Sequence, residues 1–200
     1  MSSRLLHPAP ITGLSIISSS SNDEEESHII ATSSHDLTAQ ISQFTTRPYG
    51  MNVEDNTSSS KTLASLHLHT GPVSSISSNS TGTHLLTSSW DGLIGFWDTS
   101  IPSSDEVPEP ISNERDRKKR RKVEDSSKPR RKAPLSVLKS HTARVSKVLF
   151  APTSTDNNGE EKKAYSCGFD STVRVWDTEY GVCEHSIASI FFLFSFEPLD

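Results

Sequence analysis

The chain of 200 residues has few of the features that stabilise secreted proteins or anchor proteins in membranes. Its two cysteines, Cys167 and Cys183, lie in unlike contexts without metal-ligand spacing, which excludes a disulfide framework and indicates a reducing compartment. No apolar signal core follows the first residues, so secretion is not expected. The apolar run Ile187–Phe196 covers about 10 residues whereas a bilayer needs roughly 20, so no membrane contact is expected.

Apolar residues are also scarce, and charge is unevenly spread. Only 32% of the residues are apolar and the mean hydropathy is −0.49, so we expect much of the chain to lie in loops or disordered segments. Residues 115–132 hold 11 basic and 3 acidic residues, a net charge of +8. The remaining residues hold 9 basic and 22 acidic residues, a net charge of −13. The segment 115–132 therefore has a net positive charge, whereas the rest of the chain is acidic.

A pattern of hydroxyl residues, turn aspartate and strand tryptophan occurs twice, at Thr87–Asp98 and at Ser166–Asp177. In both copies an apolar run lies on each side of the turn, which predicts a β-hairpin. A weaker copy spans Thr32–Gln43, where Ser42 takes the place of the tryptophan and Gln43 that of the final aspartate. Internal repetition of this kind predicts a fold built from similar units.

Each repeat opens with a histidine four residues before a β-branched residue. These pairs are His7 with Ile11, His69 with Val73, and His141 with Val145. One more strand-like run precedes the second and third histidines, at Thr62–Leu68 and Pro134–Lys139. Four strands per unit form the blade of a β-propeller, so the expected fold is all-β, a partial propeller of about three four-stranded blades with long disordered insertions.

The expected domain boundaries follow from these repeats. A degenerate blade with an acidic loop occupies residues 1–61, a blade 62–98, a disordered acidic and basic insertion 99–133, a third blade 134–186, and an unpatterned apolar tail 187–200. The acidic stretch Ser18–Ser27 is interpreted as a solvated loop or as an acidic contact or serine phosphorylation site. Because a propeller needs at least four blades to close, three repeats indicate a fragment.

Two basic clusters in the insertion suit a nuclear-import signal and also contact with RNA phosphates, which are compatible roles. A plain solvated loop is the alternative, and stacking on bases is not supported because no aromatic residue is interleaved. The candidate import or RNA-contact residues are Arg115, Arg117, Lys118, Lys119, Arg120, Arg121, Lys122, Lys128, Arg130, Arg131 and Lys132.

Histidine, hydroxyl, turn aspartate and strand tryptophan at these spacings resemble the WD-repeat family of propellers. The resemblance implies that these four side chains form a hydrogen-bonded chain inside each blade, since each can satisfy another while buried. The implied sets are His69, Thr87, Asp91 and Trp97 in the second repeat, His141, Ser166, Asp170 and Trp176 in the third, and His7, Thr32 and Asp36 in the first.

A hydroxyl, a histidine and an aspartate also suggest a hydrolase triad. A nucleophile requires one copy at one cleft with an oxyanion hole, whereas here the same set recurs in every repeat. Repetition favours an architectural role. We therefore expect no enzyme activity, and no catalytic, metal or cofactor site.

Several motifs taken together indicate a particular subfamily of the WD-repeat proteins. The segments His69–Val73 and Ser88–Gly92, a Glu/Lys/Arg-rich insertion, and then Asp170–Asp177 resemble the Ytm-type WD-repeat proteins of ribosome biogenesis, the WD member of the pescadillo–Bop–WD complex. The resemblance implies a scaffold for nucleolar assembly of the large ribosomal subunit and pre-rRNA processing. The implied locations are the nucleus, nucleolus and nucleoplasm.

The same resemblance implies partners of the Erb/Bop-type propeller class and the pescadillo type, in a pre-ribosomal particle. The rival interpretation is a WD-repeat adaptor of another system, such as a ubiquitin-ligase substrate receptor or a chromatin-associated scaffold. Trp90 and Phe169, which precede the turn aspartates, are candidate surface anchors, because large aromatic residues are enriched at interfaces. Their alternative role is packing against the neighbouring blade.

Overall fold

The computed structural model describes residues 7–21, 26–46, 59–107, 128–151 and 161–188, and these residues form thirteen β-strands. In chain order the strands are β1 (Ile11–Ser21), β2 (Glu26–Ser34), β3 (Ala39–Thr46), β4 (Ser59–Leu66), β5 (Val73–Ser78), β6 (His84–Ser89), β7 (Leu93–Asp98), β8 (Arg130–Lys132), β9 (Ser136–Lys139), β10 (Val145–Phe150), β11 (Lys163–Gly168), β12 (Thr172–Asp177) and β13 (Val182–Ala188).

The strands form three sheets, each of which is one blade. Blade 1 has the order β1-β2-β3-β4-β8, blade 2 the order β5-β6-β7-β9, and blade 3 the order β10-β11-β12-β13. Every strand pair is antiparallel except β4 with β8, which is parallel. The strands that were predicted within Thr62–Leu68 and Pro134–Lys139 each lie in the preceding blade. β4 pairs with β3 in blade 1 and β9 pairs with β7 in blade 2, whereas the sequence assigned these runs to the blades 62–98 and 134–186. The predicted fold class, an all-β partial propeller, is confirmed.

The turn between the second and third strands of each blade explains why the repeats fold alike. In blade 2 the Asp91 carboxylate accepts the Leu93 N–H at 2.9 Å, and Gly92 between them has φ +82°. Glycine adopts that left-handed conformation at no steric cost. The equivalent residues Leu37 and Ser171 have φ 73° and 58°, so their turns are strained by comparison.

The apolar core lies between the blades rather than inside one of them. Trp97 of blade 2 packs against the apolar side chains of blade 1, in a cluster that includes Ile41 and Leu66. Trp176 of blade 3 packs in the same way against blade 2, in a cluster that includes Ile94 and Leu138. Each blade therefore depends on its neighbour for the burial of one sheet face.

The structure has strands in two places where the sequence predicts a loop or a disordered insertion. The β1–β2 hairpin continues through Ser18–Ser21, where the sequence predicts a loop, because Ser18 pairs with Ile29 and Ser20 with Ser27. The end of the insertion also differs, since Arg130–Lys132 forms β8 on the outer edge of blade 1. The prediction of disorder is therefore wrong for these three residues, whose backbone groups pair with an otherwise open strand edge.

Candidate functional site

Blade 2 contains a chain of four buried polar side chains. Trp97 Nε1 donates to Thr87 Oγ1 at 3.0 Å, and Thr87 Oγ1 lies 2.8 Å from His69 Nε2. His69 Nδ1 lies 3.1 Å from the Asp91 Oδ2 atom, which also accepts the Thr70 N–H at 3.0 Å. The network therefore links β6, β7, the turn between them and the loop that precedes the blade.

The chemistry of the four groups sets the direction of the hydrogen bonds. An indole N–H can only donate and an ionised carboxylate can only accept. His69 therefore donates from Nδ1 to Asp91, and the Thr87 hydroxyl, which accepts from Trp97, donates to His69 Nε2. Every donor in this buried chain is used, which makes the network favourable rather than costly.

Blade 3 repeats the arrangement with a serine in place of the threonine. Trp176 Nε1 donates to Ser166 Oγ at 2.8 Å, and Ser166 Oγ lies 2.7 Å from His141 Nε2. His141 Nδ1 lies 2.8 Å from Asp170 Oδ2, and the Thr172 hydroxyl donates to Asp170 Oδ1 at 2.7 Å. The two blades thus hold all eight residues of the implied network in matching positions.

Blade 1 contains a shortened network. His7 lies 2.9 Å from Thr32 Oγ1 through Nε2 and 2.7 Å from Asp36 Oδ2 through Nδ1. Ser42 occupies the tryptophan position, and its fully buried hydroxyl has no hydrogen-bond partner in the described part of the chain. Gln40 lies nearby, with its Nε2 atom 3.5 Å from His7 Nδ1. The first repeat therefore keeps the histidine, hydroxyl and aspartate but not the indole.

The hydrogen bonds hold the turn aspartates in their ionised form. Burial would raise the pKa of Asp91, but hydrogen bonds from His69 and from the backbone N–H groups of Leu93 and Thr70 outweigh it and lower the pKa to about 2. The pKa of Asp170 is lowered in the same way: burial opposes ionisation, and hydrogen bonds from Thr172 and His141 prevail. Both carboxylates therefore stay charged under all but strongly acidic conditions.

Ser166, His141 and Asp170 have the distances of a hydrolase triad, but the surroundings differ from those of a nucleophile. The Ser166 side chain is buried, and its oxygen already accepts the Trp176 N–H. A substrate carbonyl could not approach this oxygen without displacing the indole. The geometry therefore supports an internal structural role for the serine.

The hairpin turns that the networks fix carry exposed aromatic residues. His35, Trp90 and Phe169 each stand directly before a turn aspartate, and all three are exposed. The His35 and Trp90 ring centroids are 5.3 Å apart, and the Arg144 guanidinium lies 4.5 Å from the Trp90 centroid. Trp90 therefore contacts both neighbouring blades, and 38% of its surface stays exposed. Its role as a surface anchor for a partner stays a prediction. We call His35, Trp90, Arg144 and Phe169 the turn-face strip.

The structure describes only four of the candidate basic residues, and it separates Lys132 from the others. The Lys132 side chain is 1% exposed, and its Nζ lies 2.8 Å from Asp98 Oδ1 and 2.7 Å from the Ser100 carbonyl oxygen. Hydrogen bonds from Lys132 and Ser100 outweigh burial and lower the pKa of Asp98. Lys132 therefore forms a buried ion pair within the fold, so its prediction as an import or RNA contact is corrected.

The other described residues of the basic set are less buried than Lys132. Lys128 is exposed, and Arg130 and Arg131 are half-buried on β8. The residues from Arg115 to Lys122 lie outside the described part of the chain. Their import or RNA-binding role stays a prediction.

The described residues show no further chemical centre. Cys167 and Cys183 are both free thiols. No three His, Cys, Asp or Glu side chains of the described ranges come together as a metal site. The described ranges contain no helix that is long and apolar enough to cross a bilayer.

The sequence did not reveal a set of hydroxyl residues that join neighbouring blades. The Thr12 hydroxyl donates to the Val73 carbonyl oxygen of the next blade at 2.6 Å, and the Ser74 hydroxyl donates to that of Val145 at 2.6 Å. Ser146 is the equivalent residue of blade 3, five positions after the opening histidine. A hydroxyl after each β-branched residue was the signal that could have revealed these contacts.

Comparison with known proteins agrees with this architecture. Residues 60–98 and 132–177 match the family described as WD domain, G-beta repeat. These two ranges contain the two repeats that have the tryptophan, and the first range also includes β4 of blade 1. The strands β1, β2 and β3, which form the repeat without the tryptophan, lie outside the match.

Curated relatives carry the name Ribosome biogenesis protein YTM1. The chain is 61% identical to the protein from Laccaria bicolor and 53% identical to that from Coprinopsis cinerea, in each case over 92% of the chain and 39% of the relative. It is 36% identical to the protein from Saccharomyces cerevisiae over 75% of the chain and 32% of the relative. The chain thus spans about two-fifths of the length of the most similar of these relatives. On its repeats and on these identities, the chain is a WD-repeat protein of the Ytm type.

Proposed function

We propose that the chain is a non-enzymatic WD-repeat scaffold that acts in nucleolar assembly of the large ribosomal subunit and in pre-rRNA processing. The observation that carries the proposal is the 61% identity over 92% of the chain to a protein named for ribosome biogenesis. The nucleus, nucleolus and nucleoplasm are the locations that follow from this role. The buried Ser166, His141 and Asp170 side chains support a scaffold rather than an enzyme, because they hydrogen-bond with one another and with Trp176.

The scaffold would act through the turn-face strip. Buried networks fix each hairpin from below, so the aromatic residues above them are held in place before a partner arrives. Preorganised aromatic and arginine side chains are the residues that most often dominate binding energy. Phe169 is 72% exposed, which leaves most of its apolar surface for a partner to cover.

The family resemblance supplies the candidate partners, an Erb/Bop-type propeller protein and a pescadillo-type protein. The test is affinity purification of the tagged chain from nuclear extract, with quantitative identification of the proteins recovered. We expect Erb/Bop-type and pescadillo-type homologues with the unmodified chain and their loss with Trp90→Ala and Phe169→Ala combined. Tyr180→Ala is the matched control, because Tyr180 is an exposed aromatic residue of a turn outside the strip.

Two results would contradict the proposal. Recovery of cullin adaptors or chromatin proteins instead of ribosome assembly factors would favour a WD adaptor of another system. Retention of the partners by the double variant would exclude the strip as the contact. A thermal unfolding curve of each variant separates a lost contact from a lost fold.

The basic insertion would direct the chain to the nucleus, contact pre-rRNA phosphates, or do both. We propose that replacement of Lys118, Lys119, Arg120 and Arg121 by Gln lowers nucleolar enrichment of the tagged chain and weakens salt-dependent RNA binding. Lys132→Met is the control, since Lys132 is buried and should affect stability rather than location. Unchanged nucleolar enrichment and RNA binding would show that the basic cluster has neither role.

A further inference from the structure

The acidic beginning of the insertion is hydrogen-bonded to its basic end. The Arg131 N–H donates to Asp105 Oδ1 at 2.8 Å, and the Ala133 N–H donates to Glu106 Oε2 at 2.9 Å. In return the Glu106 N–H donates to the Arg131 carbonyl oxygen at 2.8 Å. Asp105 and Glu106 therefore bind the backbone of β8 and of the residue that follows it. We call these four residues the insertion stem.

A second contact fixes the chain just before the stem. Lys132 Nζ lies 2.7 Å from the Ser100 carbonyl oxygen, so the segment 101–104 runs between this contact and the insertion stem. The segment forms no strand, and its two serines, Ser103 and Ser104, are exposed. Their hydroxyl groups are therefore accessible from solvent on a segment whose two ends are held in place.

Carboxylates follow both serines in the sequence. Asp105 and Glu106 stand two and three residues after Ser103, and one and two residues after Ser104. Both acidic side chains are exposed. A kinase with a basic substrate groove selects serines that precede such carboxylates, because complementary charge favours the correct partner. Ser80 is also exposed, but none of the three residues after it is acidic.

The structure favours these two serines over the acidic stretch Ser18–Ser27. Ser18, Ser19 and Ser20 lie in β1, where each pairs with a residue of β2. A serine in a paired strand can enter a kinase groove only after the strands separate, which costs free energy. The segment 101–104 forms no strand, so its serines need no such separation.

Phosphates at these positions would change the charge of the whole insertion. Residues 99–133 hold 11 basic and 7 acidic residues, a net charge of +4. A phosphoserine carries a charge of about −1.5 to −2 at pH 7, so two of them cancel most of this net charge. Because Ser104 adjoins Asp105 of the stem, its phosphate would lie close to the strand that carries Arg130 and Arg131. Phosphate accepts strong hydrogen bonds from arginine.

We propose that Ser103 and Ser104 are phosphorylated by an acid-directed serine/threonine kinase, and that the two phosphates weaken the binding of the insertion to RNA. In each transfer the serine Oγ forms a bond to the γ-phosphorus of ATP. The bond from that phosphorus to the oxygen it shares with the β-phosphate breaks, and ADP and the hydroxyl proton are released. The effect on RNA rests on the RNA contact proposed above, whereas the modification itself does not.

The first test maps the phosphates. The purified full chain is incubated with an acid-directed serine/threonine kinase, ATP and Mg²⁺, and its peptides are analysed by mass spectrometry. We expect phosphate on Ser103 and Ser104 before any on Ser18–Ser20. Asp105→Asn combined with Glu106→Gln should slow the reaction about tenfold, because the carboxylates guide the kinase. Glu184→Gln is the control, since no serine or threonine stands in the three residues before this exposed carboxylate.

The second test measures RNA binding. The affinity for a single-stranded uridine oligonucleotide is compared before and after phosphorylation, at several salt concentrations. We expect the Kd to rise about tenfold at low salt and its salt dependence to become shallower, because fewer counterions are released. Ser103→Ala combined with Ser104→Ala should bind RNA equally well before and after treatment with the kinase. This variant separates the effect of these two phosphates from that of phosphates elsewhere.

The outcomes separate this proposal from the proposed RNA contact. Phosphates only at other residues, or none, would overturn the modification sites. An unchanged Kd after complete phosphorylation of Ser103 and Ser104 would overturn their effect on RNA binding. Failure of the unphosphorylated chain to bind RNA would instead refute the RNA contact and with it the effect of the phosphates, whereas the mapped phosphates alone decide whether the two serines are modified.

Discussion

The first and second blades share the order of their four antiparallel strands and the same histidine, hydroxyl and aspartate, but they differ at the position of the tryptophan. Blade 2 has Trp97, which is fully buried and donates to Thr87, whereas blade 1 has Ser42, whose buried hydroxyl has no partner in the described residues. The difference separates two contributions of the network. The hydroxyl, histidine and aspartate fix the hairpin, and the indole joins that hairpin to the neighbouring blade.

The largest expected effect is that of Trp97→Ala. The substitution removes the largest side chain of the cluster between blades 1 and 2 and the donor to Thr87. We expect a loss of about 3–5 kcal/mol in the free energy of unfolding, a large part of the total stability of a small domain. Chemical denaturation measures this change, and a loss below about 1 kcal/mol would contradict the joining role of the indole.

Thr87→Val and Thr32→Val compare the two networks directly. In blade 2 the valine leaves both Trp97 Nε1 and His69 Nε2 without a hydrogen-bond partner, whereas in blade 1 it leaves only His7 Nε2 without one. Each buried polar group without a hydrogen-bond partner costs about 1–3 kcal/mol of stability, so Thr87→Val should be more destabilising than Thr32→Val by about that amount. Equal losses in parallel denaturation curves would show that the indole hydrogen bond contributes nothing.

Acid should weaken blade 2 through Asp91. Its pKa is about 2 in the folded chain and 3.8 ordinarily, so its contribution is complete above about pH 4 and is lost as the pH falls toward 2. We expect the free energy of unfolding to fall across that range, and to fall less steeply in Asp91→Asn. Glu179→Gln, at an exposed ion pair, is the control and should keep the slope of the unmodified chain. An unchanged slope in Asp91→Asn would contradict the assignment.

The smallest expected effect is that of Ser42→Ala. The substitution removes a buried hydroxyl that makes no hydrogen bond, so stability should stay within about 1 kcal/mol and is expected to rise. A thermal unfolding curve suffices for this comparison. A loss above about 2 kcal/mol would show that the hydroxyl has a partner, and that blade 1 has its own substitute for the indole.

The blade architecture could be predicted because its determinants are local and recur. The spacing from Asp91 to Trp97 and from Asp170 to Trp176 is set by one hairpin, and His69 and His141 reach the hydroxyls of their own blades. Periodicity within one repeat therefore carries most of the information about the buried networks.

The remaining features depend on contacts between distant segments. β8 has no strand pattern of its own, and Arg130–Lys132 becomes extended because it pairs with the edge of β4. Lys132 was assigned to the basic cluster by its neighbours, but Asp98 and Ser100 bind it in the fold. The contacts of Trp90 with His35 and Arg144 join three blades, and no single repeat encodes them.

Hydrogen exchange of the indole N–H groups tests the central claim, that the recurring polar side chains form internal supports for an exposed strip. The chain has three tryptophans, and each gives one indole signal in a nitrogen-labelled sample. The account predicts that Trp97 and Trp176 exchange only through unfolding, since both are fully buried and donate to a hydroxyl, while the exposed Trp90 exchanges quickly. Exchange of Trp97 and Trp176 as fast as that of Trp90 would contradict it.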